Sequence, residues 1–143
     1  MKLRNPQQMA ENFAYWTSTA LLSLLYLTSA TLYIVKRDRV RKILVGFGYP
    51  AYLVPLLTVA KIGAVAAILA RVSVPLSDLA YAGVFYHLLL SGLAHVGVRK
   101  PRGALPAAVA LICLVVSFTT QNEARDIPSP DGVAATTGHA IIT

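Results

Sequence analysis

Gly48–Arg71 reads GYPAYLVPLLTVAKIGAVAAILAR, and this stretch decides the fold. It is an apolar, alanine-rich run of about 20 residues, long enough at 1.5 Å per residue to cross a hydrocarbon core of about 30 Å. One ammonium, Lys61, stands close to its middle. Insertion scales put an unpaired lysine at a helix centre at about 2.5–3.5 kcal/mol. Its side chain is therefore expected to face other helices, water or a partner, and not lipid.

The remainder of the chain has the same character. Its 143 residues are 56% hydrophobic and 13% charged, whereas soluble domains average about 45–50% apolar and 25% charged. That length is one domain's worth. The net charge of +7 is not a nucleic-acid signature, because the basic residues gather at the ends of apolar runs and not along one solvated face. It reads as membrane topology. A single cysteine, Cys113, excludes an internal disulfide and a multi-cysteine metal site.

Outward from Gly48–Arg71 three more spans follow, predicting an all-α, four-helix transmembrane bundle with spans at 15–35, 51–70, 77–98 and 104–120. A polar segment, 1–13, precedes the membrane domain, 14–120, and a tail, 121–143, is expected to lack structure. Thr28-Ser29-Ala30 loosely resembles a cleavage site, but the apolar run before it is too long for a signal peptide. Tyr15-Trp16 and Tyr33 fit interface anchors at the two ends of the first span. KRDRVRK, Lys36–Lys42, with Ile43, Leu44, Val45 and Phe47 after it, reads either as a solvated loop or as a turn of interfacial helix. Pro50 suits the first turn of the second span, and Pro55, deeper, predicts a bend or a wide turn there.

Lys36, Arg37, Arg39, Arg41, Lys42, Arg99, Lys100 and Arg102 fall on one face of the bundle, and Lys2, Arg4, Arg71 and Arg125 on the other. The excess puts loops 36–50 and 99–103 in the cytoplasm and both termini outside a cell membrane.

The third span is the most polar. Ser91 and His95 are spaced i, i+4, with His87 one turn before Ser91, so the three share a face. Lys61, His87 and Cys113 are expected at one depth, where an ammonium and an imidazole suggest binding or proton handling while a thiol packs as a small hydrophobe. No metal is expected: imidazoles two turns apart stand about 12 Å apart along the axis. Ala60, Gly63, Ala64 and Ala67, with Gly83 and Gly92, supply small residues for close helix approach. Asp78 reads as a cap of the third span or a charge partner of Arg71. Paired carboxylates, a phosphate loop and a nucleophile elbow are missing from the spans, so no self-sufficient catalytic constellation is legible.

Tyr15-Trp16, Gly48-Tyr49-Pro50, Tyr52-Leu53, Pro55-Leu56, Val59-Ala60-Lys61, Ala80-Tyr81-Ala82-Gly83 and Ala94-His95 occur in an order that resembles the DoxX-like family of small four-helix membrane proteins. The resemblance covers about residues 14–120. Lys61 and His95 sit on the family pattern, whereas His87 falls at a position of varied residues. The family name comes from a subunit linked to thiosulfate:quinone oxidoreduction, relatives are tied to redox-stress complexes, and distant eukaryotic kin act as cargo receptors or assembly chaperones.

Two functions compete. One is an accessory or binding protein that holds a small anionic or lipid-like ligand, a partner membrane subunit or a second copy of itself. In the other, a quinone cofactor is held in an oxidoreductase subunit. In both, Lys61, Tyr81, His87, Ser91 and His95 are expected to border the pocket, which opens towards the basic loops and ends blindly at Lys61.

Overall fold

The computed structural model describes residues 4–133. Helix α1, Pro6–Val35, starts nine residues before the apolar run because its N-terminus is well capped. Asn5 accepts from the Gln7 N–H, Gln8 reaches back to the Asn5 N–H, and Pro6 occupies the first turn. The polar segment before the span is thus largely helical. After Lys36 the chain turns directly into α2, Arg37–Gly46. Its Val40, Ile43 and Leu44, spaced i, i+3, i+4, form one apolar stripe, and Arg37, Arg39, Arg41 and Lys42 are exposed. Of the two readings of this stretch, the helix is the one realised.

Helix α3, Leu53–Ala70, begins three residues later than Pro50. Pro55 therefore lies in the first turn, where a missing N–H costs no helical bond, and no bend is required. The helix ends on Arg71 in the left-handed region (φ 45°). Helix α4, Val74–Gly97, carries Pro75 in its own first turn. A 3₁₀ turn, Pro101–Ala104, leads into α5, Leu105–Ala124.

Helices α1, α3, α4 and α5 are each long and apolar enough to cross a membrane. They pack as a square in the cyclic order α1, α3, α4, α5, with backbones close around the ring and the Tyr26 side chain reaching from α1 across the diagonal to α4. Connections at alternating ends make every neighbouring pair antiparallel. The inner faces supply a core that includes Leu22, Tyr26, Ile68, Tyr81, Leu88, Cys113 and Leu114. Large apolar side chains such as Leu24, Val59, Leu79, Leu93 and Ile112 point outward. In water such a surface is a liability; in a bilayer it is the solvent-matched face.

Where the sequence predicts a structureless tail from Gln121, α5 continues to Ala124, and residues 125–133 fold against the end of the bundle formed by the α3–α4 connection. Gln121 is fully buried and Ser129 nearly so. Arg125 donates to the Tyr15 hydroxyl (2.8 Å) and to the carbonyls of Ile68 and Leu69 (3.0 and 3.1 Å). Arg71 donates to Gln121 Oε1 and the Ile127 carbonyl, and Ser129 to Asp78 (2.6 Å). Asp78 thus holds the segment after α5, and not Arg71 or the start of α4, which Ser73 begins without a side-chain cap. Residues 134–143 of the expected tail lie outside the described residues.

Candidate functional site

The four spans enclose a cavity of about 500 Å³ in the half of the bundle next to the basic loops. Tyr26, Ser29 and Tyr33 reach it from α1, and Lys61 from α3. His87, Ser91 and His95 reach it from α4. The α2 stripe, Phe47 and Tyr49 close its loop end, so the short helix is part of the wall.

Lys61 is 5% exposed. It faces inward as expected, its ammonium donating to Ser29 Oγ at 2.6 Å and sitting 3.8 Å from the Tyr33 ring centroid. The Tyr26 ring lies farther off, at 6.0 Å. An ammonium has three protons and one unit of charge. Among the described residues a single hydroxyl accepts from it, and no carboxylate pairs with it. The charge is held by ring quadrupoles and a hydroxyl, neither of which neutralises it.

On α4 the His87, Ser91, His95 stripe faces the cavity as predicted, because steps of four residues rotate a helix by only about 40°. His87 Nδ1 and the Tyr26 hydroxyl are hydrogen-bonded across the bundle (2.8 Å). His95 packs edge-on against Phe47, with ring centroids 5.0 Å apart, and its Nδ1 is buried without a hydrogen-bond partner among the described residues. Gly103 lies directly on the His95 ring, so any side chain there would displace the imidazole.

Tyr81 does not join them. It lies six residues before His87, a rotation of about 240° and a rise of about 9 Å, which carries it to another face and towards the opposite end. Its hydroxyl meets Ser117 (2.7 Å), which also meets Thr19 (2.6 Å), in a buried cluster linking α1, α4 and α5. Cys113 packs in the apolar core.

Three cavity residues, Tyr26, Ser29 and Tyr33, escape a reading that concentrates on the second and third spans. Their spacing i, i+3, i+7 was the available signal, since it places all three on one face of α1. Tyr33, expected as an interface anchor, lies instead under the Lys61 ammonium.

The small residues of α3 and α4 also differ from expectation. A Cβ placed on Gly63, Gly83 or Gly92 meets nothing within 4 Å. These glycines do not bring backbones together. Ala60, Gly63, Ala64 and Ala67 instead line, with Ala80 and Gly83, a second cavity of about 460 Å³ between α3 and α4.

Compared with known proteins, residues 17–118 match the model of the DoxX-like family. No curated protein and no solved structure matches the chain.

Proposed function

This chain belongs to the DoxX-like family of membrane proteins, and from that premise we propose that it is a binding protein of the bilayer, holding a small anionic or lipid-like ligand around Lys61. One observation carries the reading. A lysine 5% exposed lines a cavity of about 500 Å³ and has no carboxylate partner among the described residues. Leaving an ammonium uncompensated at this depth is costly, and a ligand anion removes that cost while gaining the same attraction itself. The hydroxyls of Tyr26 and Ser91 and the imidazoles of His87 and His95 supply polar groups along the wall.

The same side chains support a second reading, a quinone-interacting subunit of a membrane oxidoreductase system. Lys61 Nζ and a ring N–H of His87 are donors of the kind a quinone carbonyl accepts. No described side chain carries electrons unaided, so this reading needs the bound quinone and a redox partner.

Native mass spectrometry of the protein released from mild detergent, with extraction of its bound lipid, separates these readings. The expected result is one retained anionic amphiphile. A retained quinone favours the second reading, a co-purifying membrane protein favours docking of a partner, and a cavity that neither retains nor takes up any amphiphile refutes the binding role.

We further place loops 36–50 and 99–103 in the cytoplasm and both termini outside, on the excess of Lys and Arg in those loops. Asn5→Cys is expected to react with an impermeant maleimide on intact cells, and Arg39→Cys only after lysis. The native Cys113 is buried and should stay silent. The reverse pattern inverts the orientation.

A further inference from the structure

The cavity between α3 and α4 shares a wall with the Lys61 cavity: Tyr26, Leu57, Lys61 and His87 border both. Lys61 therefore borders open space on two sides. The second space runs along the small residues of α3 and α4, and Ala60, Gly63, Leu79 and Gly83 on its rim are exposed on the outer surface of the bundle. Such a path leads from the buried cation to the surrounding hydrocarbon.

We infer that this groove holds a hydrocarbon chain, so that the ligand is a single-chain anionic amphiphile with its head at Lys61 and its tail lying between α3 and α4. The inference rests on the proposed ligand site at Lys61 and specifies which ligand class fits it. Helices α3 and α4 remain in contact with each other beside this cavity. A partner helix is about 10 Å across and cannot enter a space between two touching helices, whereas an alkyl chain can. Empty space beside packed helices forfeits dispersion contacts, and beyond Lys61, Tyr26 and His87 the groove walls are Ala, Gly, Leu and Val, which a methylene chain matches. The head end carries the charge argument: the ammonium that terminates the groove has no internal counter-charge among the described residues, and a carboxylate or phosphate head provides one.

The test uses the full-length protein in detergent micelles, with hexadecanoate and octanoate as probes and calorimetric titration as readout. Gly63→Leu and Gly83→Leu fill the groove from opposite walls; the added side chains start in open space, so the fold should survive, which a melting curve checks. The wild-type protein should bind hexadecanoate at least tenfold more tightly than octanoate. Each leucine variant should lose that tenfold for hexadecanoate and keep octanoate affinity within twofold. Unchanged hexadecanoate affinity in both variants overturns the groove and leaves the Lys61 site standing. Octanoate binding that survives Lys61→Met, or is absent in the wild-type protein, overturns the Lys61 site itself. Should either leucine variant fail to fold, hexadecanoate carrying a terminal diazirine gives an independent readout on the wild-type protein. Its cross-links should map to α3 between 60 and 67 or α4 between 79 and 83, and cross-links confined to α2 or α5 overturn the assignment.

Discussion

Lys61→Met is expected to leave the bundle folded and, if the proposed ligand site is right, to lower binding of octanoate and hexadecanoate at least a hundredfold. Three magnitudes set the stability of the variant. A lysine at mid-span costs about 2.5–3.5 kcal/mol on insertion scales. Against that stand one hydrogen bond from a charged donor to Ser29, about 1.5–3 kcal/mol, and one cation–π contact with Tyr33, about 1–2 kcal/mol. These nearly cancel, so the variant with methionine, flexible and one heavy atom shorter, should melt within about 1 kcal/mol of the wild-type protein. For the proposed anionic ligand no such cancellation is expected, because the substitution removes the one ammonium that lines the cavity among the described residues. Melting curves and calorimetric titration on the same preparation check both halves. A variant that unfolds by several kcal/mol would make Lys61 a structural keystone, and one that binds as before would remove it from the site.

Arg125→Ala is expected to have the largest effect on stability. Its guanidinium ties α1 and α3 to the segment that follows α5. It bonds the Tyr15 hydroxyl of α1 and the Ile68 and Leu69 carbonyls at the end of α3, and stands 4.8 Å from the Trp16 ring centroid. Last-turn carbonyls have no helical partner, and a cation there also meets the negative end of the helix dipole. Charged hydrogen bonds contribute about 1.5–3 kcal/mol each in favourable settings; with partial solvent access a total loss of about 2–4 kcal/mol is expected. Trp16 is the chain's single tryptophan, so its emission reports the change without ambiguity. Arg125→Lys should recover less than half of the loss, because a compact ammonium cannot span a hydroxyl and two carbonyls at once. Equal melting points and unaltered Trp16 emission for the alanine variant would show that the clasp is ornamental.

Sequence alone determined the number of spans, their approximate limits and the inward direction of Lys61. Each of these follows from a local quantity: the length of an apolar run against the thickness of a bilayer, or the cost of one charge in hydrocarbon. The ordered motifs from Tyr15-Trp16 to Ala94-His95 pointed to the DoxX-like family for the same reason, since they lie along the chain and require no knowledge of which helix faces which. The His87, Ser91, His95 stripe was legible because it belongs to one helix. What joins different helices was not. Tyr81 shares its helix with the cavity stripe yet faces Ser117, Tyr33 turns from the interface to the Lys61 ammonium, and Arg125 reaches from beyond α5 back to α1 and α3. The alanine and glycine pattern of α3 and α4 is compatible with touching backbones or with a groove, and the packed bundle realises the groove. Composition sets which faces avoid lipid, but the rotation and spacing of each helix are fixed only when all four inner faces pack together, and that joint solution decides which polar groups meet.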